Sequence, residues 1–345
     1  MLKNELFYLT LLTITILGLL VLLLVYLTIR KAVDIKNRKI MDQYIEKYHS
    51  VLFTMLTDGG YSRALSPATV LEQKAIEELL SRYSKVLEGE DEKERLSELA
   101  SMYLADYYRK RLKSKRWSHR MNTLYHIEDF KIDLLIDDIC MLSKKKRITH
   151  EELIHILGIL AFFHHENIFE MLTIHYNSLS EFEYRYILIR LEQQQFEKFI
   201  LHFHESSPPL QKAILDVISI NKELNYLPFL ENIFSSYKGE IKLRAIKALS
   251  EIGYVKNPNP YLDLLYSTKW EERMVAARLV GSLKETKGIS RLIELLHDQT
   301  WWVRSQAGQA ICQFPNGHEI LQEVLETSND AFAKDMAWEW LHKGV

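Results

Sequence analysis

LIELLHDQTWWVRSQAGQAICQF, residues 292–314, pairs an apolar helical run with a turn and a second run. The second run opens on Trp301-Trp302-Val303-Arg304 and continues through Ala307, Gly308 and Ala310. A catalytic loop has no use for that order, and an ordinary surface helix does not concentrate tryptophan and small residues together. The stretch becomes intelligible once it is laid over its neighbours. FLENIFSSYKGEIKLRAIKALSEIG begins at Phe229 and YLDLLYSTKWEERMVAARLVGSLKE at Tyr261. At a spacing of 31, Lys242, Arg273 and Arg304 coincide, as do Ala245, Ala276 and Ala307. Leu249, Val280 and Ile311 form a third column, and Ile252, Leu283 and Phe314 a fourth. Trp270 aligns with Trp301, and one further step lands on Phe332.

A fixed period of this length marks stacked supersecondary units, none of which buries its apolar face alone. Small residues let neighbouring helix backbones approach, and the repeated cation can bridge to carboxylates or carbonyls of the adjoining turn. The tryptophan column has two readings, packing between units or an exposed ledge for a partner, since tryptophan is favoured at binding hot spots.

The columns resemble those of HEAT repeats, in which an apolar helix, a turn often carrying Asp, and Val-Arg precede a second helix with small residues. Asp298, Val303-Arg304, Ala307 and Ala310 carry the resemblance, which is strong over residues 224–314. Upstream, over 131–163, 166–191 and 194–219, the paired-helix rhythm persists without the Arg and Ala columns. At 330–343 Trp338 replaces the small residue, as in a capping repeat. The resemblance implies an all-α fold, a right-handed α-solenoid of stacked antiparallel helix pairs with the second helices lining a concave surface.

The opposite end of the chain is of another kind. Leu6–Ile29 contains no charge, and its 24 residues span about 36 Å as a helix, enough to cross a bilayer. A cleaved leader has an apolar region of about 7–15 residues followed by small residues. Here the run is longer and ends in Leu27-Thr28-Ile29-Arg30-Lys31, so an uncleaved single-pass anchor is expected. Lys3 and Glu5 precede it, whereas Arg30, Lys31, Lys36, Arg38 and Lys39 follow, which places the N-terminus outside and the remainder in the cytoplasm. The span has no ionisable residue and Gly18 has no GxxxG partner, so neither a transport path nor a dimerisation motif is indicated.

Beyond the anchor, Val33, Ile40, Met41, Tyr44, Ile45, Tyr48, Val51, Leu52, Met55 and Leu56 recur at helical steps until Asp58-Gly59-Gly60. This stalk either pairs with a copy or packs on the following helices; its short stripe without charged flanks favours the second. Ser66-Pro67 is expected to open a helix reaching Leu87, and another follows the acidic GEDEKE patch to Lys113. Thr149 and Glu152 form a capping box, Pro208-Pro209 starts a helix, and Asn257–Pro260 is a loop. No period-two strand is visible. The expected organisation is an anchor over 1–30, stalk and helices over 31–115, and repeats over 116–345.

Bulk composition narrows the function. The chain is 47% hydrophobic with 12 Gly and 7 Pro, low for a turn-rich sheet enzyme. A net charge of −2 offers no global field for nucleic acid, which is not expected as a partner. Cys140 and Cys312, far apart, suit a reducing compartment and read as small buried residues. His150-Glu151-Glu152-Leu153-Ile154-His155 misses H-E-x-x-H, because the second imidazole is displaced by about 140° around the helix. His164-His165 and His202/His204 supply pairs where a metal needs three or four ligands. No nucleophile elbow, P-loop or dinucleotide fingerprint occurs, so no catalytic residue, metal or cofactor is expected.

Two basic runs remain, Arg109–Arg120 and Lys144–Arg147. Either they are solvated helix ends, or Arg109, Lys110, Arg111, Lys113, Lys115, Arg116 and Arg120 meet anionic lipid head groups or an acidic protein. The leading expectation is a membrane-tethered scaffold that binds a membrane-associated protein through Lys242, Trp270, Arg273, Trp301 and Arg304. A glycosyltransferase or other envelope-assembly complex in a bacterial membrane is the expected setting. An enzyme or accessory using the concave groove as a ligand pocket is the runner-up, and a membrane-surface organiser the third.

Overall fold

The computed structural model describes residues 2–343, with side chains from Phe7 onward. Lys3, Glu5 and Leu6, which flank or begin the expected span, therefore fall outside the described side chains. The chain divides into two compact units, Met1–Phe163 and His164–Val345. Helix accounts for 77% of it, and there is no strand among the described residues.

In the first unit α1 (Leu2–Thr57) is one unbroken helix, so the apolar segment and the stalk are continuous. Its apolar part is long and apolar enough to cross a membrane, and none of it is buried within the protein. The other half behaves differently: Ile45, Tyr48, Leu52, Met55 and Leu56 are buried where α2 (Val70–Tyr83) and α3 (Glu90–Leu112) pack on it. The stalk stripe thus packs on the helices that follow. Gly59 and Gly60, at φ 77° and 94°, turn the chain after α1, a conformation costly for other residues. Arg95 donates to the carbonyl of Leu56 at 2.7 Å and satisfies one of the orphan acceptors at that helix end.

α2 starts later than Ser66-Pro67 suggests. Thr69 is its cap, in a capping box with Glu72, whose carboxylate takes the N–H groups of Ala68 and Thr69 and the hydroxyls of Thr69 and Tyr48. Four satisfied donors around one carboxylate outweigh a proline two residues earlier. α4 (Trp117–Asp129), α5 (Ile136–Ser143) and α6 (His150–Phe162) complete the unit, with the Thr149/Glu152 capping box in place on α6.

The second unit opens with α7 (Ile168–Glu170), which runs into one π-helical turn, Met171–His175, closed by the Tyr176 N–H on the Met171 carbonyl. Then follow α8 (Glu181–Leu188), α9 (Gln193–Leu201), α10 (Pro208–Asn221), α11 (Leu227–Ser236) and α12 (Glu240–Ile252). The short α13 (Asn259–Leu262) carries Pro260 in its first turn. The stretch expected to be loop therefore already enters a helix at Asn259, since proline fits a first turn. α14 (Trp270–Leu283), α15 (Ile289–Leu295), α16 (Trp301–Cys312), α17 (Gly317–Thr327) and α18 (Ala331–His342) end the chain.

Helices α8, α10, α12, α14, α16 and α18 each pack on the next of that series. The periodic columns are their contact faces: Ala245, Ala276 and Ala307 are fully buried, as are Leu249 and Ile311. Each such leucine or isoleucine contributes about 1.5–3 kcal/mol of burial. In α18 the step shortens from 31 to 30, so Ala337 takes the buried position and Trp338 turns to solvent. The expected substitution of a small residue by Trp338 is thus a one-residue shift of register. Cys140 and Cys312 are free and half-buried, more open than the small core residues they were read as.

Candidate functional site

Three helices begin alike. Trp117, Trp270 and Trp301 are the first residues of α4, α14 and α16, and each is followed at the third position by arginine. Each arginine reaches back over the loop before its helix. Nη1 donates to the carbonyl of Ser114 from Arg120 (2.8 Å), of Ser267 from Arg273 (2.9 Å) and of Asp298 from Arg304 (2.8 Å). The loop is thereby fastened to the helix it introduces.

Two of the three arginines also hold a carboxylate in the bidentate form that suits a planar guanidinium. Arg120 pairs through Nε with Glu152 Oε1 (2.6 Å) and through Nη2 with Oε2 (2.7 Å). Arg273 pairs through Nε with Asp298 Oδ2 (2.7 Å) and through Nη2 with Oδ1 (2.9 Å). Burial pushes the Asp298 carboxyl up, but Arg273 and the Thr300 N–H outweigh it and hold it below the usual carboxylate range. Arg304 has no such partner: no carboxylate pairs with it among the described residues, its Nε is buried without an acceptor, and its guanidinium lies 4.8 Å from the centre of the Phe332 ring.

The expected partner-binding residues therefore divide. Arg273 is spent inside the fold on Asp298 and two loop carbonyls. Lys242 is half-buried, its ammonium 4.7 Å over the Phe234 ring. Arg304 retains unused donor capacity. The tryptophans stand outward: Trp270 is 37% exposed, Trp301 44% and Trp302 58%, with Phe332 at 61%. Trp301 and Trp302 meet edge to face at 4.7 Å. Because α14, α16 and α18 are consecutive neighbours, these rings mark the starts of three adjacent helices.

The basic run in the first unit also divides. Arg120, expected to meet a head group, is instead buried against Glu152. Arg109 pairs with both Asp138 and Asp106, and Arg111 lies over the Tyr107 ring. Lys110, Lys113, Lys115 and Arg116 are exposed and have no ion pair among the described residues. The same holds for Lys144, Lys145, Lys146 and Arg147. A cavity of about 390 Å³ opens between the two runs, lined by Lys113, Lys115, Lys145 and Arg147 over Leu112, Leu142 and Ile148.

The histidines have local employment. His155 is buried against Tyr125, ring centres 4.3 Å apart, and faces Glu128. His165 accepts the Asn167 N–H, and His204 bonds the Tyr237 hydroxyl at 2.7 Å. Among the described residues no three His, Cys, Asp or Glu side chains gather as metal ligands. In the second unit a cavity of about 470 Å³ is lined in part by Phe169, His202, Glu205 and Ser206. His202 Nδ1 bonds the Lys198 carbonyl and the Ser206 hydroxyl the His202 carbonyl, so these polar groups close the local turn.

No family model and no curated protein matches the chain. Among solved structures it is similar to two engineered proteins, both targets of the Northeast Structural Genomics Consortium. One is 15% identical over 88% of this chain and all of its own, with a TM-score of 0.36. The other is 17% identical over 60% of this chain and 94% of its own, with a TM-score of 0.32. Neither superposition is close enough to assign a fold.

Proposed function

We propose that the chain is a membrane-tethered helical scaffold, a HEAT-like solenoid held by one transmembrane helix, that binds another membrane-associated protein. Its N-terminus lies outside and its repeats in the cytoplasm, as the basic residues after the span favour. Trp270, Trp301, Trp302 and Phe332 form the apolar part of the docking face, with Lys242 beside it, and Arg304 the charged part. The partner presents a carboxylate flanked by apolar groups, which Arg304 meets through Nη2, the guanidinium nitrogen that neither bonds the loop nor is buried. The incomplete third arginine beside the exposed rings carries this reading. In it the chain performs no chemistry of its own and uses no cofactor, metal or nucleic acid.

A photo-crosslinking phenylalanine placed at Trp302 of the full-length protein in cells tests the proposal. The expected product is one defined membrane-protein adduct, reduced by about tenfold in the Trp301→Ala background, as for a hot-spot residue. The same crosslinker at exposed Leu201 gives no such adduct. Equal adducts at both positions, or none at Trp302, would overturn it.

A further inference from the structure

We infer that the cavity between residues 112–115 and 145–148 binds a phosphate-bearing anion. Four cationic side chains, Lys113, Lys115, Lys145 and Arg147, line it, and no acidic side chain does. None of the four has an ion pair among the described residues, in a chain where Arg109, Arg120, Arg244 and Arg273 all find carboxylates. Four like charges around one concave site repel one another and gain when a multivalent anion enters. Arginine offers a fork matched to phosphate oxygens, and lysine a movable point charge.

The site is also held in shape. Arg120 forms part of the cavity wall with its own charge already neutralised by Glu152, and its bond to the Ser114 carbonyl fixes the loop carrying Lys113 and Lys115. At about 390 Å³ the cavity has room for more than one phosphate group, and Leu112, Leu142 and Ile148 give it an apolar wall for the carbon skeleton behind that group. Lys144 and Lys146 are equally exposed but do not line it, so the basic run does not act as one diffuse patch. The site lies in the unit that carries the apolar helix, and the aromatic docking face lies in the other, so the two proposals stand or fall separately.

The same chemistry can come from a lipid head group or a soluble phosphorylated molecule. Full-length protein in phosphatidylcholine nanodiscs is treated with a water-soluble lysine-acylating ester, and modification rates are read peptide by peptide. One arm adds inorganic pyrophosphate at constant ionic strength; the other includes phosphatidic acid in the nanodisc. Lys113, Lys115 and Lys145 should slow by at least about threefold relative to Lys144 and Lys146 in one arm or both. Slowing with pyrophosphate identifies a soluble phosphate as sufficient, and slowing with phosphatidic acid alone identifies the head group. The Lys113→Gln/Arg147→Gln variant, with both changes at exposed positions, should melt as wild type and lose the protection at Lys115 and Lys145. Protection in neither arm, equal slowing at Lys144 and Lys146, or protection that survives in the variant overturns the inference.

Discussion

Arg120→Ala in the full-length protein should lower the unfolding temperature of the first unit by roughly 6–12 °C, followed by circular dichroism in detergent. Glu152 is wholly inaccessible and Arg120 nearly so, and both carboxylate oxygens are engaged by the one guanidinium. Removing the arginine leaves a buried carboxylate held by the capping N–H of Thr149, at a cost of about 3–5 kcal/mol, the lower end being expected where an adjoining cavity admits water. Arg120→Met/Glu152→Leu removes both charges and should recover much of the loss, because an apolar pair needs no charge compensation. Arg38→Ala, at an exposed pair with Glu78, should move the melt little. An Arg120→Ala melt within about 2 °C of wild type would mean that the pair is not formed.

Gly281→Ala should destabilise the second unit by about 1–2 kcal/mol although alanine is the better helix former. A methyl at Gly281 lies 2.7 Å from both Cα and Cβ of Ala310 on α16, well inside contact distance. The obstacle is helix backbone, which no rotamer change relieves. Overpacking of this kind costs about 1–3 kcal/mol, against a propensity gain of up to about 1 kcal/mol. Gly18, with nothing within 4 Å, shows no such obstacle. Urea unfolding of the full-length protein separates the cases: a midpoint raised by Gly281→Ala would contradict the close approach of α14 and α16.

That close approach was legible from the start, because it repeats. Ala245, Ala276 and Ala307 recur at a fixed period and a single chain is enough to see it. The apolar span and the Thr149 capping box were legible for the same reason, since their signals are local. The Trp-x-x-Arg start of α4 was not. It occurs once in that part of the chain, and Arg120 sits at the end of a run of six other cations and a histidine that reads as surface charge. Its partner Glu152 lies 32 residues away, already assigned to a helix cap. Which tryptophans face outward was equally hidden, because stacking and docking call for the same residue. The cavity needs the basic loop before α4 and the basic loop after α5 to meet, and nothing local in either loop announces the other. The capping repeat misled by one residue: a 31-residue step lands on Trp338, whereas the α16–α18 link is one residue shorter and presents Ala337.

The central claim is that the aromatic row is a docking face occupied in the native membrane. Hydroxyl-radical footprinting tests it without altering the protein. Oxidation rates of Trp270, Trp301 and Trp302 are compared in native membranes and in the purified full-length chain, with exposed Trp117 as internal reference. Rates at least about threefold lower in the membranes at those three residues, with Trp117 unchanged, are what a buried hot-spot cluster requires. Equal rates in the two preparations would contradict the claim, leaving the row an exposed feature of the fold with no partner upon it.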